Sequence, residues 1–264
     1  MRGGHRPVGG NGGAVTTLKQ RLRSGERLLG GLLRLPSETL VEMAGVAGLD
    51  FVVLDCEHGP ADLVPLQQHL VAAQAHGMGA LVRVGAAEPA LVLRVLDLGA
   101  DGVIVPHVDT VDQARAAVAA AHYSPLGQRG FATYSRAGRF GARTSAEHLE
   151  TAAETTVVVP MLETPEACAA AGEILAVPGV DSVLVGPADL AVSLGLPGGA
   201  AEPAVGRALD AVAAAAKSAG KPMTSIVGTV DQARQAPPGA VVYNLAHVLL
   251  HALGDLTGAR TADR

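Results

Sequence analysis

The stretch LDCEHGP, residues 54–60, places Asp55, Glu57 and His58 within four positions, directly after the apolar run DFVVL. An imidazole beside carboxylates suits a general base whose ring is oriented and whose protonated form is stabilised. The same three groups could instead cap a strand and solvate a loop. Further ionisable residues close other apolar runs: Arg83 in LVRVG, Glu163 in PMLETPEA, Asp189 in VLVGPADLA, and His107 with Asp109 in VPHVDT. Glu163 and Asp189 lie 26 positions apart and meet only through the fold. With water, two such carboxylates suit a hard divalent ion, Mg²⁺, Mn²⁺ or Co²⁺. A cation between them would remove the penalty of two like charges in one cleft.

The segment GPAD, Gly186 to Asp189, reads as a helix start with Pro187 in its first turn. The free N–H groups of Ala188 and Asp189 would then point at the same cleft, and a helix N-terminus takes small anions, carboxylates included. Cation and amides together would hold a 2-oxo acid, acidify its α-proton and stabilise an enolate. His58 is the base that such chemistry needs, with Asp55 to orient its ring. Arg83 would neutralise the enolate oxygen. Each residue also has a plain reading: Glu163 and Asp189 as acids that complement a helix dipole, and His107 as a structural histidine. Arg83 is harder to explain that way, because a buried arginine needs a partner.

Positioning these groups takes strands that end together. Val-rich, continuously apolar runs predict strands at 28–33, 51–54, 80–84, 102–105, 157–162, 182–186, 222–227 and 240–243, as parallel strands covered on both faces require. Helices are expected between them, at 37–47, 62–76, 88–98, 110–121, 164–176, 203–219, 229–235 and 245–255. TVDQAR occurs twice, with Thr110 and Thr229 as N-caps. Eight βα units predict an α/β protein, a single-domain (β/α)8 TIM barrel over residues 16–258, whose chemistry sits at the strand C-termini. Residues 1–15 and 259–264 read as tails. Segments 123–144 and 187–202 interrupt the alternation as long loops.

Composition agrees. The chain has 264 residues, 48% hydrophobic and 17% charged, with a net charge of −5 and no Trp. No basic run argues for nucleic acid, no apolar run is long enough for a membrane, and the N-terminal residues lack a signal-peptide core. Cys56 and Cys168 have neither paired nor metal-clip spacing, so a cytoplasmic protein is expected. Cys56 reads as a small buried hydrophobe beside acids that disfavour a thiolate. The three lysines, Lys19, Lys217 and Lys221, fall away from the strand exits, which argues against a Schiff base.

In order and spacing, FVVLDCEHGP, LVRV, GADGVIVPHV, YSPLGQRG, PMLETPEA and VDSVLVGPADLAVSLG resemble the HpcH/HpaI aldolase family, the metal-dependent class II pyruvate aldolases, over roughly residues 17–255. The resemblance implies reversible cleavage of a 4-hydroxy-2-oxo acid to pyruvate, or a related 2-oxo acid, and an aldehyde. It implies Glu163 and Asp189 as ligands of the divalent ion, His58 with Asp55 as the base pair, Arg83 as enolate stabiliser and Gly186, Pro187, Ala188 and Asp189 around the substrate carboxylate. Glu57 would tie a water of the metal in place. No pyridoxal phosphate is expected, and a homo-oligomer, a hexamer, is. Met161 stands where the family often has Gln, which makes the oxo-acid pocket more apolar, and the Tyr243–His247 region departs too. These departures keep open an oxaloacetate decarboxylase or a biosynthetic C–C bond former on the same enolate. An acyl-CoA lyase of the citrate-lyase superfamily and a non-catalytic metabolite-binding barrel are the other rivals.

Overall fold

Each apolar run alternates its side chains between two buried layers, and that alternation builds the molecule. The computed structural model describes residues 16–59, 63–86 and 88–258, so the expected tails lie outside the described residues. Eight strands form: β1 (Leu28–Leu33), β2 (Phe51–Asp55), β3 (Gly79–Arg83), β4 (Gly102–Val105), β5 (Val157–Leu162), β6 (Val183–Val185), β7 (Met223–Val227) and β8 (Gly239–Asn244). They pair in parallel, in chain order, and β8 closes on β1. This is the expected (β/α)8 barrel.

Phe51 and Val53 of β2, Leu81 of β3, Ile104 of β4 and Val157, Val159 and Met161 of β5 fill the interior. Their neighbours Val52, Leu54, Ala80, Val82, Val103 and Val158 pack outward against the helices. Gly30 of β1 faces inward without a side chain because the Phe51 ring lies against its Cα. The same parity turns Asp55 and Arg83 inward at the C-terminal rim, where they are register partners. Continued two residues beyond Met161, it reaches Glu163.

Both TVDQAR segments form the expected caps. The Thr110 and Thr229 side chains accept from the backbone N–H of Gln113 and Gln232, whose side chains accept in return. Other boundaries differ. The helix expected at 164–176 is two, Pro165–Ala169 and Ala171–Ala176, because Ala170 leaves helical geometry at ψ 1°. A helix over Ser145–Thr155 has too few apolar residues to show a period, and buries only His148. A short helix, Leu18–Arg23, closes the N-terminal end of the barrel, with Leu18 and Leu22 packed on Leu28, Phe51 and Leu81. Lys19 on that helix is buried there, donating to the Thr156 carbonyl (2.7 Å) and paired with Asp181 (3.5 Å).

Candidate active site

Asp55 ends β2 with a fully buried carboxylate. Arg83 grips it with two hydrogen bonds, Nε to Oδ1 (2.9 Å) and Nη2 to Oδ2 (2.5 Å). Arg34, just beyond β1, donates from Nε to Oδ2 (2.7 Å). The backbone N–H groups of Glu57 (3.1 Å) and His58 (3.3 Å) donate to Oδ1. Burial alone would raise the Asp55 pKa, but the two arginines and the amide bonds outweigh it and hold it at about 2. Among the described residues no hydrogen bond or ion pair joins the Asp55 carboxylate to the His58 ring. Asp55 serves two guanidinium groups and the turn that carries His58, because a buried arginine at its register position claims its oxygens first. The His58 side chain is 58% exposed, and its Nε2 lies 3.9 Å from Glu57 Oε2.

Glu57 turns back over the barrel mouth. Its Oε2 is 3.0 Å from Arg83 Nη1 without hydrogen-bond alignment, and is buried with no hydrogen-bond partner among the described residues. Arg83 itself is buried. Burial opposes its charge, yet Asp55, Glu57 and Glu163 raise its pKa. Its Nη1 points at Met161 Sδ (3.8 Å). Met161 is buried in the interior layer directly beneath the site, with Leu32, Val53 and Ile104.

Glu163 follows β5 and is buried. Burial raises its pKa, the His107 amide and ring act against that, and the charges of Asp189 and Glu57 add to it. The charges of Glu57 and Asp189, at the exits of β2 and β6, thus both act on Glu163 at the exit of β5. Asp189 lies exposed in the first turn of the expected helix, Pro187–Ser193, which has Pro187 at its start and Gly186 as a cap without a side chain. A Cβ on Gly186 would stand 2.7 Å from Met161 Cε and 3.1 Å from Glu163 Oε1. Glycine there lets the helix start close on the carboxylate.

Two residues carry more of the site than the sequence reading gave them. Arg34 belongs to none of the motifs in the sequence, yet its position just past β1 brings it to Asp55. His107, at the exit of β4, accommodates a φ of 55°. Its N–H donates to Glu163 Oε2 (2.8 Å), its Nδ1 lies 2.9 Å from the same oxygen, and its Nε2 lies 3.4 Å from Glu57 Oε1. The signal was its place in VPHVDT, at a strand exit like the others. Asp109 instead accepts from the Thr164 hydroxyl (2.6 Å) and ties two exit loops together. Cys56 behaves as expected, its thiol pushed up to about 11 by burial and by Asp55.

The donor set suits a hard cation. Its oxygens come from the carboxylates of Glu163 and Asp189, and the buried Glu163 sits among like charges. Among the described residues no group of three or more His, Cys, Asp or Glu is arranged to hold a metal. A site of two carboxylates completed by water and substrate oxygens does not need one. No described helix is long and apolar enough to cross a membrane.

Comparison with known proteins identifies the family. The sequence profile of the HpcH/HpaI aldolase/citrate lyase family matches residues 32–239. A pyruvate aldolase of Rhizobium etli is 36% identical over 208 residues, 79% of this chain and 81% of its own length. A 2-dehydro-3,6-dideoxy-6-sulfogluconate aldolase of Pseudomonas putida is 39% identical over 203 residues, 77% of this chain and 79% of its own. The crystal structure of an HpcH/HpaI aldolase/citrate lyase family protein from Burkholderia cenocepacia superposes with a TM-score of 0.88 at 36% identity, over 94% of this chain and all of its own. The chain belongs to the HpcH/HpaI aldolase/citrate lyase family and is a carbon–carbon lyase.

Proposed function

We propose that the cleft at the strand exits cleaves a 4-hydroxy-2-oxo acid reversibly into pyruvate, or a related 2-oxo acid, and an aldehyde. The observation that carries this reading is the buried Glu163, on which the charges of Asp189 and Glu57 act, beside a buried arginine, Arg83, whose Nη1 lies 3.0 Å from Glu57 Oε2. The relatives named as a pyruvate aldolase and a 2-dehydro sugar-acid aldolase support it. Glu163 and Asp189 would hold a divalent cation, which would supply charge to polarise the 2-oxo group and acidify the neighbouring C–H.

The chain's own residues do the rest. The amides of Ala188 and Asp189, at the start of their helix, receive the substrate carboxylate. Arg83, locked by two bonds to Asp55, cannot swing away and presents Nη1 to the enolate oxygen. His58, open to the cleft, takes the proton of the 4-hydroxyl group. The C3–C4 bond breaks, its electron pair passes into the enolate of the 2-oxo acid, and the C4 fragment leaves as the aldehyde. A proton returned to C3 completes the product. Glu57, 3.9 Å from the His58 ring, takes the stabilising role expected of Asp55. Met161 gives the oxo-acid pocket an apolar floor.

The same reading has the enzyme assemble with copies of itself. The C-terminal helix Leu245–Thr257 buries none of its residues and exposes Leu250, Leu253 and Leu256, which supports a partner surface.

The test is hydrogen exchange at the pyruvate methyl group in deuterated water, with metal-stripped enzyme restored by Mg²⁺, Mn²⁺ or Co²⁺. Exchange that needs an added ion supports the proposal. A correctly folded enzyme that exchanges no methyl proton with any of the three ions overturns it.

A further inference from the structure

At the opposite end of the barrel, where β4 and β5 begin, a cavity of about 450 Å³ opens beneath the segment 129–143. Arg129, Arg136, Arg139 and Arg143 line it, and Asp101 is the one acidic residue on its wall. The arginines are poorly neutralised. Arg129 pairs with Asp97 (2.6 Å) and lies over the Tyr123 ring at 4.8 Å. Arg136 is held by neutral groups, the Gln74 side chain (2.6 Å) and the Leu98 carbonyl (3.3 Å). Arg143 donates to the Ala137 carbonyl (3.0 Å). Among the described residues, Arg136, Arg139 and Arg143 have no carboxylate within ion-pair distance, and the Asp101 carboxylate is committed to the Ala80 amide (2.8 Å). Three guanidinium groups therefore converge on one cavity without a direct ion pair, Glu147 acting on Arg143 only at longer range.

A second observation is independent of the charge count. Arg129, buried and on the cavity wall, leaves its Nε without a hydrogen-bond partner among the described residues. A buried guanidinium nitrogen is rarely left so, which leaves the positive wall of the cavity short of acceptors. The volume falls in the range of small-molecule pockets, and guanidinium forks match the oxygens of a tetrahedral oxyanion.

We infer that this cavity is a second ligand site, remote from the carbon–carbon chemistry, that binds a phosphate group, free or carried on a small metabolite. It lies where strands enter the barrel, the end that TIM-barrel enzymes do not use for catalysis. A ligand there would bridge the segment 129–143 to the turn before β4, so its binding should also stabilise the fold.

The experiment is calorimetric titration of the intact enzyme with inorganic phosphate and, separately, glycerol phosphate, at constant ionic strength in chloride. Succinate is the matched carboxylate, and Arg139→Gln the test variant, because Arg139 is exposed and makes no ion pair. Arg115→Gln, which removes an exposed arginine elsewhere, is the control. Saturable phosphate binding that weakens about tenfold in Arg139→Gln and is unchanged in Arg115→Gln supports the site. Tighter binding of glycerol phosphate than of phosphate identifies a phosphorylated metabolite as the ligand, and the reverse identifies the free ion. Absence of saturable binding, equal binding by Arg139→Gln, or succinate binding as tightly as either phosphate overturns the assignment. Loss of self-assembly in Arg139→Gln without any phosphate binding also overturns it, and gives the cavity to a neighbouring copy.

Discussion

His107 holds Glu163 twice through one oxygen, by its backbone N–H at 2.8 Å and its ring Nδ1 at 2.9 Å, and does so from a φ of 55°. A histidine in the left-handed region is strained, and such strain persists where surrounding contacts over-determine it. Here the backbone bends so that its amide faces a buried carboxylate. His107→Gly relieves the strain and keeps the amide, whereas His107→Ala keeps the strain and loses the same ring. The glycine variant should exceed the alanine variant by about 1 kcal/mol in stability, measured by urea unfolding of both. An alanine variant as stable as the glycine variant would show that the φ is not enforced by Glu163.

Asp55 supplies the acid limit of the fold. Its pKa in the folded chain, about 2, lies below the ordinary value of 3.8. A depressed carboxylate stabilises the folded state above its unfolded pKa and loses that contribution as pH falls through the folded value. The difference corresponds to roughly 2 kcal/mol. Asp55→Asn should therefore be less stable than the parent at pH 7, and the gap should narrow between about pH 4 and pH 2. Denaturant midpoints of both proteins across that range check it, and a gap independent of pH would remove the charge of Asp55 from the account.

The barrel was legible because its code is short-range. Val-rich runs at βα spacing announce parallel strands, and the two TVDQAR caps mark their helices. Site residues at strand ends were legible for the same reason, since parity turns Asp55 and Arg83 inward and carries Met161 on to Glu163. Partner choice was not legible. Asp55 and His58 are neighbours in sequence, but Arg83 is the register partner and Arg34 arrives from the adjacent strand, and neither relation can be seen along the chain. The helix Ser145–Thr155 escaped because it buries so little that it carries no apolar period. Its one visible mark was the cap that Thr144 makes with Glu147.

Asp101 runs opposite to Asp55. Burial pushes its carboxyl up to about 6 against a single amide bond from Ala80. A raised carboxyl favours the folded state below its unfolded pKa, 3.8, and that contribution is lost as pH rises through about 6. The cost of ionising it in place is about 3 kcal/mol. Asp101→Asn keeps a carbonyl oxygen for the Ala80 amide and carries no charge. Its stability relative to the parent should rise between pH 4 and pH 7, followed by thermal unfolding. A difference that stays constant over that interval would mean that Asp101 ionises freely in the folded protein.

Cation binding and proton transfer should separate by residue. Glu163→Gln removes the buried member of the carboxylate pair and Asp189→Asn the exposed one, and each should weaken Mn²⁺ binding by more than tenfold in calorimetric titration, with activity falling alongside. Asp189→Asn leaves the helix Pro187–Ser193 its proline start and its backbone amides, so its loss is not a loss of fold. The ion-pair contact of the His58 ring is to Glu57, at 3.9 Å, and to neither carboxylate of that pair. His58→Ala should keep the parent's Mn²⁺ affinity while aldol cleavage falls by about 10²–10⁴-fold, the usual worth of a general base. Cleavage at the parent rate in His58→Ala would assign the base to another group, and the nearest candidate is the His107 ring between Glu57 and Glu163.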